Sequence, residues 1–173
     1  MPAARRNVSM LVYHGTNADI EQIDLTKGSR FKDFGQGFYV TPDLETAQRM
    51  ARKKANLFGG EPTVLVYEFE IEKVDEVGLK MMTFPEKATP EWIKFIEQNR
   101  DKQGNSPTHD YDIVVGPIAE DGVVVQLANY RNEILSPEDA TRRLQDKYLD
   151  QQIYFGTTKA LKLLKKTNEW KIC

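Results

Sequence analysis

A histidine at the end of a short apolar run is the first residue whose type and position could do chemistry. His14 stands with Gly15 and Thr16 directly after the run Met10 to Tyr13. Functional side chains are common where a strand passes into a loop, because the strand holds them rigidly. A histidine there can hydrogen-bond a ligand, or it can simply hydrogen-bond its own turn. The pattern alone leaves both interpretations open.

A glycine turn that leads into an aromatic strand is the second such feature. Gly35 and Gly37 flank Gln36, and Phe38-Tyr39-Val40 follows. Glycine can take a positive φ or let a ligand approach the backbone closely. The aromatic and β-branched residues that follow are typical of a strand. A ligand-binding turn and an ordinary tight turn would both have this composition.

The polar segment between these two features, residues 17–36, predicts a long surface loop. Loops of more than about 12–15 residues without regular structure are uncommon and often functional, so we expect this one to form a wall of a binding site. Its basic residues include Lys27, Arg30 and Lys32. These cations could meet a pyrophosphate, and they could equally be solvated.

Hydrophobic periodicity predicts the strands and helices that would position these residues. The predicted strands are Met10–Thr16, Phe38–Val40, Thr63–Ile71, Tyr111–Pro117 and Asp150–Phe155. The predicted helices are one that ends at Gly59-Gly60, a short one over 90–96, one over 123–130, one from a Ser136 cap to Tyr148, and one over Thr157–Leu164. Residues 123–130 leave two interpretations open, because their β-branched run favours a strand while their apolar spacing favours the helix preferred here. A loop is predicted at Gln103–Pro107.

The helix after Val40 has the clearest start signals. Thr41 is the expected N-cap and Pro42 the expected first helical residue. Apolar residues then recur at helical spacing and predict a face turned to the core. These residues are Ala47, Met50, Ala51, Ala55 and Phe58.

Size and composition predict one cytoplasmic domain with no membrane contact. The chain has 173 residues, a net charge of -2 and a single cysteine at its last position. No apolar run approaches the roughly 20 residues that span a bilayer. We expect residues 1–9 to be a loose arm and residues 10–173 to form the domain. Two histidines, His14 and His109, without paired ligand spacing argue against a zinc site.

Three polar features in a fixed order resemble the ADP-ribosyltransferase superfamily, in its diphtheria-toxin and poly(ADP-ribose) polymerase-like branch. The features are His14-Gly15-Thr16, Gly37-Phe38-Tyr39, and Gln152 ahead of Ile153-Tyr154-Phe155. More closely, the chain is similar to DUF3990, a family of small bacterial proteins. The shared motifs lie at residues 13–16, 33–39, 111–117 and 152–161, and the resemblance extends over residues 10–164.

The resemblance implies an α+β fold in which two small antiparallel sheets surround an NAD cleft, with helices outside. It implies NAD⁺ as co-substrate and no metal. His14 would bind the 2′-hydroxyl of the nicotinamide ribose, the Gly15 backbone would hold the carboxamide, and Tyr39 would pack on the nicotinamide ring. His14, Tyr39 and Gln152 would be the catalytic residues. The cofactor-binding set adds Gly15, Thr16, Arg30, Gly35, Gly37 and Phe38.

The third motif departs from the polymerase-like pattern, which has a glutamate where this chain has Gln152. A neutral amide can only hydrogen-bond, so the departure favours a single transfer over polymer synthesis. Asp150 could supply a carboxylate, because alternate strand residues share a face. A serine contact expected early in the following helix falls near Ala47, with Thr46 beside it.

The implied activity is mono-ADP-ribosyl transfer from NAD⁺ to a macromolecular acceptor, with release of nicotinamide. The acceptor could be a protein or a nucleic acid. The resemblance also suggests a toxin-like or regulatory role with a small antitoxin or regulatory partner. Two alternatives stay open: an NAD⁺ glycohydrolase, in which water is the acceptor, and an inactive NAD-binding or protein-interaction module.

Overall fold

Seven strands and six helices make up the described part of the chain, residues 9–102 and 109–172 of a computed structural model. The strands are β1 (Met10–Thr16), β2 (Phe38–Val40), β3 (Thr63–Phe69), β4 (Met81–Thr83), β5 (Ile113–Pro117), β6 (Gln151–Phe155) and β7 (Leu164–Lys171). The helices are α1 (Leu44–Phe58), α2 (Lys73–Glu76), α3 (Pro90–Arg100), α4 (Asp121–Arg131), α5 (Pro137–Leu144) and α6 (Thr158–Leu161). The loop predicted at 103–107 and most of the predicted arm lie outside the described residues.

The strands form two small sheets, as predicted for a mixed α+β fold. Sheet A has the order β1-β3-β7 and is antiparallel throughout. Sheet B has the order β2-β6-β5-β4. The expectation that both sheets are antiparallel is wrong for sheet B, because β4 runs parallel to β5, with Met81 opposite Ile113. The weak patterning of residues 72–110 predicted neither α2 nor β4.

Alternation along the strands builds a layered core. Leu65 of β3 and Ile153 and Phe155 of β6 belong to the cluster that fills the space between the two sheets. On the other face of sheet B, Tyr154 packs among residues of α3, α4 and α5, with fully buried Trp92 in the same cluster. Because successive strand residues point to opposite faces, Gln152 shares the helix-covered face with Tyr154.

Helix α1 covers the outer face of sheet A at very short range. A Cβ added at Gly15 would lie 2.1 Å from the carbonyl oxygen of Ala47, so only glycine lets the helix approach the strand this closely. Ala47 and Ala51 are fully buried there. The prediction that Phe58 faces the core is wrong, since its side chain is 77% exposed at the end of the helix.

Helix α1 also starts later than predicted. Thr41 stays extended because its backbone pairs with Tyr13, and it therefore cannot cap a helix. The cap is Asp43, whose side chain accepts a hydrogen bond from the Glu45 amide. The predicted end at Gly59 is confirmed, with the Gly59 amide bonded to the Ala55 carbonyl.

The C-terminal segment differs most from the prediction. The helix expected over 157–164 is only the single turn of α6, and the chain then forms β7 against β3. β7 is an edge strand whose residues are almost all exposed, so its sequence lacks the apolar alternation that identifies a strand. Helix α5 begins at the predicted Ser136 cap but ends at Leu144 rather than Tyr148.

Candidate functional site

Among the described residues, the two sheets join at one pair of backbone hydrogen bonds, which we call the seam. The Tyr13 amide donates to the Thr41 carbonyl at 2.8 Å, and the Thr41 amide donates to the Tyr13 carbonyl at 2.8 Å. The seam places His14, the next residue of β1, beside Tyr39 of β2. Residues that stand 25 positions apart in the sequence therefore meet at one site.

A cavity of about 530 Å³ opens beside the seam, which is within the usual size range of small-ligand sites. We call it the inner cavity. Six of the residues predicted for the site line it: His14, Gly15, Gly37, Phe38, Tyr39 and Gln152. Thr16, Arg30 and Gly35 do not line it. Thr16 is buried with its hydroxyl accepting from the Ala18 amide, and Arg30 is exposed.

The His14 ring is held in one tautomer. Its Nδ1 lies 2.6 Å from the Tyr39 carbonyl oxygen, which can only accept, so Nδ1 carries the proton. Burial, and then the positive charge of Lys54, lower the pKa of His14 to about 3. The imidazole is therefore neutral at physiological pH, and Nε2 has a free lone pair. The His14 Nε2 atom can therefore accept a hydrogen bond.

The Tyr39 side chain lies on the other face of β2 from His14. The His14 ring packs on Phe38, with ring centroids 4.3 Å apart, whereas the Tyr39 ring packs near Phe34 and Tyr154. The two predicted catalytic side chains therefore meet through the Tyr39 carbonyl and not ring to ring. Burial raises the pKa of Tyr39, which stays a neutral phenol.

The glycine turn is shaped around the Tyr39 hydroxyl. That hydroxyl donates to the Gly35 carbonyl at 2.6 Å and accepts from the Phe34 amide at 3.0 Å. Gly35 has φ +98°, which a side chain would strain. At Gly37 an added Cβ would lie 2.3 Å from a Tyr154 ring carbon. Both glycines are explained by the turn and its packing, and the Tyr39 hydroxyl is already engaged.

The loop of residues 17–36 forms one wall of the inner cavity, as predicted. Its charged residues there include Asp19, Glu21 and Lys27. The Gln36 side chain fixes the loop by donating to the Thr26 carbonyl at 3.0 Å and to the Gly28 carbonyl at 2.7 Å. Three apolar loop residues pack on the core between the sheets: Ile20, Ile23 and Leu25.

Gln152 is held by two acceptors. Its Nε2 donates to Asp33 Oδ2 at 3.0 Å and to the Pro117 carbonyl at 3.1 Å. Neither partner can donate, so the amide orientation is forced. Both amide hydrogens are engaged, which leaves the amide oxygen for a ligand.

Asp33 is a buried carboxylate at the site, whereas the polar composition of residues 17–36 predicted that it lies in a surface loop. Besides Gln152, it accepts from the Ala119 amide at 3.2 Å and forms an ion pair with Arg100. Its only signal in the sequence is its place at the start of the shared motif at residues 33–39. Asp150, the carboxylate considered from the sequence, lies instead 2.6 Å from Arg49 and lines neither cavity described here.

Two lysines add positive charge beside the seam. Lys54 of α1 donates to the Gly15 carbonyl at 2.7 Å. Burial, and then the charge of Lys32, lower the pKa of Lys54 to about 8. Lys32 lies 5.3 Å from the Tyr39 ring centroid, and burial lowers its pKa as well. Both ammonium groups lack a full counter-charge, which favours an anionic ligand.

The Gly15 amide is oriented toward the inner cavity. In an antiparallel strand the N–H and C=O of one residue point to the same side, and residues two apart share that side. The Tyr13 groups point away from β3 to Thr41, and the Gly15 carbonyl points to Lys54. The Gly15 N–H therefore faces the same way and is a donor for a ligand.

A second, wider cavity of about 1440 Å³ continues from the inner one, and we call it the outer groove. The two share five lining residues: Lys32, Tyr39, Met50, Lys54 and Gln152. Met50 gives this junction an apolar side chain from α1. Ala47 and Thr46, where the serine contact was expected, do not reach this junction. Ala47 is buried under β1, and the Thr46 hydroxyl donates to Asp43.

No cluster of three or more potential metal-ligating side chains occurs in residues 9–102 and 109–172. His109 has a structural role: its Nε2 donates to the Phe34 carbonyl at 2.7 Å, and its Nδ1 accepts from the Tyr111 amide at 3.1 Å. Within the same residues, every helix is too short or too polar to cross a membrane.

Comparison with known proteins gives one match. No curated protein and no solved structure matches the chain. A family model matches residues 10–166. This range includes Tyr13 and Thr41 of the seam and every residue that lines the inner cavity. The chain therefore belongs to the DUF3990 family, described as proteins of unknown function.

Proposed function

We propose that the protein binds NAD⁺ beside the seam and transfers its ADP-ribose to a macromolecular acceptor, with release of nicotinamide. The observation that carries the proposal is the His14 tautomer. A neutral imidazole with a free Nε2 lone pair, fixed by the Tyr39 carbonyl, suits the 2′-hydroxyl of a ribose. A ribose held in this way has its anomeric carbon fixed for reaction.

Groups on the two faces of β2 fit the nicotinamide end of the substrate, with His14 and the Gly15 amide on one side and the Tyr39 ring on the other. The Gly15 amide can donate to the carboxamide oxygen, and the Tyr39 ring with Met50 offers an apolar surface to the flat heterocycle. Lys32 lies over the Tyr39 ring. A stacked nicotinamide would take its place, and the ammonium group would move toward the phosphates.

The two lysines fit the pyrophosphate. Lys32 and Lys54 line both cavities and have lowered pKa values caused by burial. Bringing a dianionic pyrophosphate near them would stabilise their charged forms. The flexible ammonium group is a common phosphate ligand in proteins.

Gln152 fits a single transfer. In the reaction the bond between the ribose anomeric carbon and the nicotinamide nitrogen breaks, and its electron pair leaves with nicotinamide, which becomes neutral. The acceptor forms the new bond to the anomeric carbon and loses a proton. The Gln152 amide oxygen can stabilise the cationic ribose by its dipole, which is weaker than a carboxylate. Slow turnover is expected.

Hydrolysis is the second candidate, and the width of the outer groove favours it. The groove reaches Gln152 and Tyr39 and admits water to them. Water would then replace the macromolecule as acceptor.

The test follows nicotinamide release from NAD⁺ together with the intact mass of protein and acceptor. The comparison is between the wild type, His14→Ala and the control Arg30→Ala, whose exposed side chain lies outside the inner cavity. We expect release by the wild type and Arg30→Ala, and a loss of at least about 100-fold in His14→Ala. Equal rates in all three, or no binding of NAD⁺ by calorimetry, would refute the proposal.

A further inference from the structure

The outer groove differs in charge from the rest of the protein. Its described lining carries seven cationic and four acidic side chains, whereas the whole chain has a net charge of -2. Two of the acids are neutralised locally: Asp33 by Arg100, and Glu97 by Arg131. Outside these two ion pairs the described lining has five cationic and two acidic side chains, so the groove carries a positive excess although the chain is net negative.

Three of the groove's lysines are available for a ligand. Lys53 on α1, Lys94 on α3 and Lys102 just after α3 are exposed and form no ion pair with the described residues. They stand on both sides of the groove, because α1 forms one wall and α3 the other. Lysines on both walls can contact a linear polyanion at several points along its length.

Exposed apolar side chains lie among these lysines. Leu57 is 65% exposed and Phe58 is 77% exposed, both at the end of α1. Tyr130 of α4 lines the groove on the other side. Solvation of the helix end does not explain these apolar side chains. Aromatic rings that stand between cations commonly stack with unpaired bases.

We propose that the outer groove binds single-stranded nucleic acid and that this strand is the acceptor of the transfer. The acceptor role rests on the proposed function, whereas binding does not. Because the groove and the inner cavity share Tyr39, Lys54 and Gln152, a strand in the groove would reach the reacting ribose. A hydroxyl or ring nitrogen of the strand would attack the anomeric carbon and lose a proton as neutral nicotinamide leaves.

The binding experiment uses the purified chain without NAD⁺. The probes are fluorescein-labelled RNA and DNA single strands of one mixed sequence, about 12 nucleotides long. Fluorescence anisotropy is measured at low and physiological salt, with polyglutamate as competitor. We expect saturable binding that weakens with salt, because phosphate contacts release counterions.

Matched variants separate the groove from general charge. Phe58→Ala should weaken binding about 5- to 150-fold, the effect of losing one stacked base. Its control is Tyr148→Ala, an 87% exposed tyrosine outside the groove, which should change binding less than about twofold. The pair Lys53→Glu/Lys94→Glu should weaken binding at least about tenfold, and Lys159→Glu/Lys162→Glu, on exposed lysines elsewhere, should not.

Each outcome decides. An equal loss of binding in the two double-lysine variants overturns the groove as a nucleic-acid site. Loss of strand binding to polyglutamate at equal charge concentration also overturns it, and favours an acidic protein as the ligand. Nicotinamide release without strand binding overturns this inference and leaves the proposed function standing. Strand binding without an ADP-ribose mass gain on the strand in the presence of NAD⁺ overturns the acceptor role alone.

Discussion

Gln152→Glu should destabilise the protein in a manner that depends on pH. The wild-type amide donates to Asp33 Oδ2 at 3.0 Å and to the Pro117 carbonyl at 3.1 Å. An ionised carboxyl there would lose both hydrogen bonds and face the Asp33 carboxylate, and two charges at about 4 Å repel by about 4 kcal/mol at an effective dielectric constant of 20.

Protonation limits the cost. A protonated carboxyl can donate to Asp33, and keeping a glutamate protonated costs about 4 kcal/mol at pH 7 and about 1 kcal/mol at pH 5. The lost contact to Pro117 adds about 1 kcal/mol at either pH. The pKa of the introduced carboxyl is raised in the folded state, so its penalty is present at neutral pH and is lost as the pH falls. We expect a deficit of about 4–5 kcal/mol at pH 7 and about 2 kcal/mol at pH 5.

Urea unfolding at both pH values measures the deficit against the wild type at the same pH. Gln151→Glu is the control, because that neighbouring amide also donates to two carbonyls but lies on the exposed side. Asp33→Asn in the Gln152→Glu background offers an amide to the new carboxyl and should recover at least about 2 kcal/mol at pH 7. A deficit independent of pH, or one no larger than at Gln151, would refute the forced orientation of Gln152.

Three further outcomes follow from the site. The KM for NAD⁺ should rise above about pH 8 in the wild type as Lys54 loses its proton, since its pKa is about 8, and a Lys54→Arg variant should flatten this rise in steady-state assays up to pH 10. Tyr39→Phe should lower the free energy of unfolding in urea by about 1–3 kcal/mol, because it leaves the buried groups of the glycine turn unpaired, while nicotinamide release persists in the folded fraction. Gly15→Ala should lower the midpoint of thermal unfolding by at least about 5 °C, because the new methyl group would meet Ala47, and an unchanged midpoint would contradict the close packing of α1.

Local sequence patterns predicted the central part of the fold. The strands that carry His14 and Tyr39 were identified because their apolar and aromatic residues stand next to glycine turns, and these strands are confirmed. The strand predicted over Asp150–Phe155, from apolar residues that follow two amides, is observed as Gln151–Phe155. Strand β7 was not predicted, because it is an exposed edge strand held by backbone hydrogen bonds to β3. Backbone hydrogen bonds do not require alternation of apolar and polar side chains.

A site residue could be predicted from the sequence only where it belongs to a recognisable motif. His14, Tyr39 and Gln152 each stand at a recognisable strand end, and the structure brings all three to the inner cavity. Lys54 reaches the cavity only because Gly15 lets α1 pack closely on β1, a contact that no local pattern encodes. Asp33 likewise acquires its role from partners far away in the chain, among them Arg100.

The attachment of the loop over residues 17–36 has a consequence for how such a protein can diversify. The loop is secured by the Gln36 side chain and by Ile20, Ile23 and Leu25. Its charged side chains Asp19, Glu21 and Lys27 line the cavity wall and form no hydrogen bond or ion pair with a described strand. Mutation can therefore alter the charge of this wall while the seam and its histidine stay intact. Related chains could in this way acquire different ligand preferences on an unchanged scaffold, with selection acting on a few loop positions.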